Sequence, residues 1–435
     1  MGPGKPFTAI GDAPLAELRP GDTVLIHWRP EPYREKFVLC VQGTAEAPIT
    51  VRGVPGPDGR LPVIDGADAV TPRPLNYWRE NRNVIKIGGA NVPADTMPRH
   101  LVIEHLDIRG ARRGNFFTDR FGARQQYAAN AAAIDIEKGE DITIRNCVLS
   151  GSGNGLFAAS SETAVTRNLV VVANYIHSNG NVGSAFEHNV YTEGVHVLFQ
   201  YNRFGPLREG AQGNNLKDRS AGLVVRYNWI EGGNRQLDLV ETDYDAIALL
   251  PEYRVTEVYG NVLIEPDGAG NRQIVHYGGD NGDERLYRKG MLRFEHNTVI
   301  SFRRDRTTLF RLSTNAETAI ARNNIFQVAA AAGDTLSLVD NTGQLQLESN
   351  WFKPGVRDGF VQVEARIRGR ETSIESAAPG FANEATLDLR LAGGSICLDR
   401  GGDLPDWPWF QYRPHQEIEP RPAAGAGVDL GAFER

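Results

Sequence analysis

Asn174-Tyr175-Ile176, Asn202-Arg203-Phe204 and Asn228-Trp229-Ile230 share one pattern: a β-rich run, an Asn, any residue, then an aliphatic or aromatic one. The unit recurs at Asn146-Cys147-Val148, Asn261-Val262-Leu263, Asn297-Thr298-Val299, Asn323-Asn324-Ile325 and Asn350-Trp351-Phe352, with spacings of 28, 28, 26, 33, 36, 26 and 27. A period near 27 with almost no helical periodicity implies one turn of a β-solenoid per repeat. The Asn has a physical role there. An inward Asn at a bend bonds the backbone of its own coil and stacks its amide along the axis, which satisfies buried polar groups. His105, in Ile103-Glu104-His105-Leu106, stands where an earlier turn would carry its Asn. Leucine-rich repeats also have a periodic Asn, but their period is usually shorter and their leucine signature is missing here.

The rest of the chain is read outward from these coils. We expect one parallel β-helix domain over 1–435, with an N-terminal cap and first rungs in 1–40, central repeat coils in 100–352, and last rungs and a C-terminal cap in 370–435. Ala16 to Asp22 reads as a short helical end and turn before the strand Thr23-Val24-Leu25-Ile26-His27. The two gaps above 30 mark loop insertions near 240–255 and 266–290. Ala385 to Leu398 and Asp429-Leu430-Gly431-Ala432-Phe433 read as closing rungs and a cap, which a solenoid needs to hide its final edge.

Composition narrows the class. Hydrophobic content of 41% and charged content of 23% suit a globular chain. A net charge of −7 argues against a general nucleic-acid binder. No run approaches the ~18 apolar residues of a membrane span. Met1-Gly2-Pro3-Gly4 lacks the basic and apolar regions of a signal peptide, so a periplasmic or secreted location rests on substrate logic alone. Three scattered cysteines, Cys40, Cys147 and Cys397, make no disulfide framework and read as buried small hydrophobes.

Chemistry concentrates in His188-Asn189-Val190-Tyr191-Thr192-Glu193-Gly194 and, 26 residues later, Asn214-Asn215-Leu216-Lys217-Asp218-Arg219-Ser220. Side chains alternate across a strand, so with Val190 and Leu216 inward, Tyr191 faces out beside Lys217, and Glu193 beside Arg219. Aligning each coil by its inward aliphatic residue gives an outward column of Asp135, Phe157, Tyr191, Lys217, Asp238, His276 and Arg311. Two residues along lie Glu137, Ala159, Glu193, Arg219, Val240, Gly278 and Ser313; two residues before lie Asn189, Asn215 and Gln236. The loop from Gly110 to Asn130 adds Arg112, Arg113, Arg120 and Arg124 among Phe116, Phe117, Phe121 and Tyr127. Folded over the cleft, such arginines would hold carboxylates or sulfates.

On these motifs the chain resembles right-handed parallel β-helix proteins of the pectate-lyase type, as found in bacteria. The right hand agrees with the crossover rule for parallel strands. His188-Asn189-Val190-Tyr191, Gly213 to Arg219, Asp238-Leu239 and Tyr259-Gly260-Asn261-Val262 are similar to a widespread subgroup. Its members show a His-Asn-Ile-Tyr strand, a His-Asn-Val-Lys-Ser-Arg strand and an Asp-Leu-Pro strand. That match spans roughly residues 100–330 and implies the fold more than the reaction. A more distant likeness is to chondroitinase B and alginate lyases, where a lysine on one rung is the base and an arginine on the next assists. Lys217 resembles that lysine in its setting. Asp238 and Val240 stand where the arginine would be, which leaves its role to Arg219.

The expected reaction is β-elimination on a uronic-acid-containing polysaccharide or oligosaccharide. Lys217 is the base, Arg219 or a bound Ca²⁺ neutralises the carboxylate, and Tyr191 or His188 protonates the leaving oxygen. Asn189, Asn215, Asp238, His276 and the four loop arginines are expected to contact substrate. Glu193, Asp218, Asp238 and Glu241 are oxygen ligands suited to a Ca²⁺ ion, with Glu193, Asp238 and Glu241 the expected set. Rival readings are a glycoside hydrolase using paired carboxylates such as Asp238 and Glu241, a uronate epimerase, and a carbohydrate-binding, adhesin-like solenoid. The lone-contact alternatives are ordinary ion pairs, Lys217 with Asp238 and Arg219 with Glu193, and an inward His188 bonded to backbone.

Overall fold

The computed structural model describes residues 1–402, 410–413, 418–422 and 424–435. Residues 403–409, 414–417 and 423 of the expected C-terminal cap lie outside that set. The chain divides into two compact units: Met1–Leu198 with Phe204–Ser220, and Phe199–Arg203 with Ala221–Arg435. Each unit is a succession of coils whose strands build three parallel sheets.

In the first unit the first sheet runs through Thr23–His27, Ile49–Val54, Arg99–Glu104, Glu140–Arg145 and Arg167–Val172. The second runs through Val63–Asp65, Asp107–Arg109, Val148–Ser150 and Tyr175–His177. The third runs through Phe37–Leu39, Asn83–Ile87, Ala132–Ile136, Asn154–Ala158, Val190–Thr192 and Leu216–Asp218. In the third sheet Ile85, Ile134, Leu156, Val190 and Leu216 stack rung on rung and are fully buried. Each such side chain contributes about 1.5–3 kcal/mol by leaving water, which makes the register costly to slip. The second unit repeats the scheme: its third sheet holds Leu237–Leu239, Gln273–Tyr277, Thr307–Leu312 and Leu336–Val339, with Leu237, Val275, Phe310 and Val339 stacked inside.

The bend between first and second sheets carries the Asn repeat. In the second unit the backbone N–H of Asn202 donates to Asn228 Oδ1 at 2.9 Å, Asn228 to Asn261 at 2.9 Å, Asn261 to Asn297 at 3.0 Å, Asn297 to Asn324 at 2.8 Å and Asn324 to Asn350 at 3.0 Å. The amide Nδ2 of Asn228, Asn261, Asn297, Asn324 and Asn350 also reaches a backbone carbonyl of the coil before, as Asn297 does with Val258 at 2.9 Å. All of these side chains are fully buried. The residue just ahead of the ladder turns through a left-handed conformation, at φ 54° for Tyr227, 67° for Gly260, 50° for His296 and 56° for Asn323. That geometry is rare for a residue with a Cβ, and the ladder bonds hold it.

Three sequence assignments shift by this rule. Asn146 (φ 53°) and His105 (φ 57°) take the left-handed place, so Cys147 and Leu106 occupy the ladder position in their coils. Asn324 rather than Asn323 is the ladder residue in its own coil. The Cys147 backbone N–H donates to Asn174 Oδ1 at 2.9 Å. All three cysteines are free and buried.

The ends also depart from expectation. The residues 16–22 form turns, and the N-terminal helical turn is a 3-10 turn at Ile10–Asp12. The last parallel rungs are Arg366–Arg368 and Ile374–Glu375. Residues of 385–398 do not extend them: Asp388–Leu391 pairs antiparallel with Phe381–Asn383. Leu389, Ala432 and Phe433 cover Val262, Ile264 and Ile300, the face of the second sheet opposite Leu263 and Val299. These apolar residues therefore shield a flank of the second unit. Among the described residues no helix is long and apolar enough to cross a membrane.

Candidate functional site

In the first unit Tyr191 pairs with Phe157 on one side and Lys217 on the other. Phe157 and Tyr191 meet edge to face with centroids 5.4 Å apart. Lys217 Nζ lies 5.9 Å and Arg219 Cζ 5.8 Å from the Tyr191 ring centroid, so a phenol and two cations converge on one outer face. Tyr191 and Lys217 are half-exposed, whereas Arg219 is buried.

The inward residues between them set this geometry. Thr192 Oγ1 donates to Asp218 Oδ2 at 2.7 Å, tying the Tyr191 strand to the Lys217 strand. Asp218 also accepts from the Ser220 backbone N–H at 2.7 Å and its hydroxyl at 2.8 Å, which turns the chain just past Arg219. Asp218 is fully buried; the sequence offered it only as a cation ligand. Its signal was available, since a residue next to an outward lysine in a strand points inward.

His188 abuts Tyr191, ring centroids 5.4 Å apart and near perpendicular. It is buried, and its Nδ1 accepts the backbone N–H of Asn214 at 2.9 Å, while its own backbone N–H donates to Asn154 Oδ1 at 2.8 Å. A ring nitrogen that accepts carries no proton, so the ring proton belongs on Nε2. The inward alternative holds for this histidine: it links three coils and props the tyrosine.

Asn189 and Asn215 do not face substrate. Both are fully buried in a second ladder: Asn179 Nδ2 donates to Asn189 Oδ1 at 3.0 Å, and Asn189 Nδ2 to Asn215 Oδ1 at 2.9 Å and to the Gly205 carbonyl at 2.8 Å. Strict alternation applies only inside a strand, and these residues precede their strands at a bend.

Earlier rungs extend the column. Lys86 pairs with Asp135 and Asp135 with Phe157. Burial pushes the Asp135 carboxyl up to about 6 against the pull of Arg82 and Lys86. Lys86 forms a 2.7 Å ion pair with Glu137. Arg120 and Arg124 sit on a hairpin, Phe116–Thr118 with Arg124–Gln126, which joins Ala69–Val70, and Arg112 and Arg113 precede it. Arg124 stacks on Phe116 at 3.8 Å and Arg120 on Phe121 at 4.9 Å. Arg112 is half-buried and Arg113 exposed. Phe117 and Tyr127 are buried against Lys36 Nζ, 3.7 and 4.6 Å from its ring neighbours' centroids, and Tyr127 bonds the Gly66 carbonyl at 2.8 Å. Two of the loop's aromatics, Phe117 and Tyr127, are thus an anchor onto the first coils.

In the second unit Asp238, His276 and Arg311 are in register on neighbouring strands, as the alignment required. They are not an open substrate surface: Asp238 and His276 are buried. Asp238 Oδ1 lies 2.9 Å from His276 Nδ1 and 3.3 Å from an Arg235 nitrogen, and His276 Nε2 lies 3.0 Å from Ser313 Oγ. Loops beyond the strand ends close over them. Glu241 accepts the backbone N–H groups of Asp280 at 2.9 Å and Asn281 at 3.1 Å, so its carboxylate pins the 278–288 loop.

This changes the metal expectation. Glu193 is buried, Glu241 accepts two backbone N–H groups, and among the described residues the group with donor atoms within 4.8 Å of one another is Asp238, His276 and Asp280. Two carboxylates and an imidazole suit Ca²⁺ poorly, since that ion takes six to eight oxygens. Both ring nitrogens of His276 already have partners. This trio does not fit a Ca²⁺ cage.

No family model matches the sequence, and no curated protein matches it. Among solved structures it is similar to pectate lyase Pel9A, at 12% identity and a TM-score of 0.51 over 97% of this chain and 90% of that one. It is also similar to an alginate lyase from Paenibacillus sp. str. FPU-7, at 11% identity and a TM-score of 0.50 over 79% and 94%. The chain shares with these proteins the right-handed parallel β-helix fold.

Proposed function

We propose that the protein is a secreted or periplasmic polysaccharide lyase that cleaves uronic-acid-containing chains by β-elimination. The observation that carries this reading is the Tyr191–Lys217 pairing, with the Lys217 and Arg219 head groups 5.9 and 5.8 Å from the Tyr191 ring centroid. Elimination needs a base for the proton beside the uronate carboxylate, a cation for the carboxylate, and a donor for the departing oxygen. Lys217 takes the proton, Arg219 offsets the carboxylate charge, and Tyr191 donates to the glycosidic oxygen. Phe157 and His188 hold the phenol from two sides. The pectate and alginate lyases with the same fold support a saccharide substrate.

A hydrolase reading draws on Asp135, whose carboxyl, pushed up to about 6, keeps the proton a general acid needs. The deciding experiment assays a panel of uronic-acid polymers for unsaturated, ultraviolet-absorbing ends and for new reducing ends. Both signals together support the lyase. Reducing ends alone select the hydrolase, and binding with neither signal selects a carbohydrate-binding solenoid.

A further inference from the structure

We propose that Ser313, His276 and Asp238 form a nucleophile site in the second unit that hydrolyses carboxylic esters, an activity separate from the elimination proposed above. Its natural substrate class, O-acyl groups on the same polysaccharide, rests on the saccharide reading; the ester chemistry itself does not. Asp238 Oδ1 to His276 Nδ1 is 2.9 Å and His276 Nε2 to Ser313 Oγ is 3.0 Å, the contacts by which a carboxylate orients an imidazole and an imidazole activates a hydroxyl. The residues lie on the Leu237–Leu239 strand, on the Gln273–Tyr277 strand, and one residue past the Thr307–Leu312 strand, so sheet register holds them.

Burial is graded in the sense this chemistry needs. Asp238 and His276 are buried, whereas Ser313 is half-buried. In the tautomer whose Nδ1–H donates to Asp238, the Nε2 lone pair faces the Ser313 hydroxyl. Gly279 N–H donates to Ser313 Oγ at 2.8 Å and fixes the position of the hydroxyl. Two glycines make this approach possible. At Gly278 (φ 135°) an added Cβ would lie 2.5 Å from Ser313 Oγ, and at Gly279 one would lie 2.2 Å from the Tyr287 ring. The Ser313 hydroxyl also lies 2.8 Å from the Gly279 carbonyl and 3.4 Å from that of Tyr277, which a purely structural serine would use.

In the reaction Ser313 Oγ bonds the ester carbonyl carbon and its proton passes to His276 Nε2. The carbon–oxygen bond to the alcohol breaks, and the departing oxygen takes that proton. A water, deprotonated by Nε2, then attacks the acyl-serine. The carboxylic acid leaves, and Ser313 regains its proton. Water is the only co-reactant, and nothing is oxidised or reduced.

The test uses the full chain. A fluorophosphonate probe should form one adduct, mapped to Ser313 by peptide mass spectrometry, and the protein should hydrolyse para-nitrophenyl acetate. Ser313→Ala should lose ester hydrolysis by more than ~10³-fold with an unchanged melting curve, and His276→Asn should lose the labelling. Wild-type protein with no adduct at Ser313, or Ser313→Ala with full ester hydrolysis, overturns the site. Acetate released from an O-acetylated uronic-acid polymer supports the substrate class. Hydrolysis of the small ester without that release overturns the substrate class alone. None of these readouts depends on unsaturated ends, so the lyase reading can fail independently.

Discussion

The two units carry the same outward column and use it differently. In the first, Tyr191 and Lys217 stand half-exposed with Arg219 at their side. In the second, Asp238 and His276 hold equivalent sheet positions yet are sealed, because loops beyond the strands fold back and Glu241 clamps the 278–288 loop. Register decides which residues meet. The loops decide whether they meet in water, and hence whether a charge is reactive or costly.

Substitutions in the two columns should therefore fail differently. Lys217→Ala should reduce unsaturated-end formation by ~10³–10⁴-fold, the range for loss of a positioned base, while circular dichroism and melting stay unchanged. Retained turnover would break the proposed mechanism. Asp238→Ala, by contrast, strips the partner from buried His276 and Arg235 and should cost about 3–5 kcal/mol in urea unfolding. A loss near zero would show that the second column is not the polar network described here.

A pH effect sharpens the contrast within the first unit. The Asp135 pKa is raised from 3.8 to about 6 by burial, so its folded-state contribution is present below its ordinary value and is lost as pH rises through about 6. Between pH 4 and 7 the stability of Asp135→Asn relative to wild type should rise by on the order of 3 kcal/mol; a difference independent of pH would contradict the assignment. Tyr191→Phe should lower kcat by ~10²-fold with KM little changed. Asn189→Ala is the smallest: about 1–3 kcal/mol of stability, from amide and carbonyl groups left unpaired, with KM unaltered. A raised KM there would restore Asn189 to the substrate face.

Much of this was legible in the chain. The 27-residue period and the aliphatic at the centre of each third-sheet strand gave the pairs Tyr191–Lys217, Asp238–His276 and His276–Arg311 before any coordinates. What misled was extending strand alternation past strand ends. Asn189 and Asn215 lie in bends, where direction follows the turn. Ser313 was in view as the residue two beyond Arg311, but a hydroxyl gains meaning only when an imidazole stands 3.0 Å away. Asp218 follows alternation inward, where it bonds Thr192 and Ser220.

By itself the sequence determined a stack of coils, their register and the residue types brought side by side. Those are local and periodic properties, written in every repeat. Only the tertiary structure decided which of those residues keep contact with water, which amides became interior ladders, and how the C-terminal residues shield the second sheet. Burial depends on the path of loops between rungs, and that path follows from long-range packing that no repeat encodes.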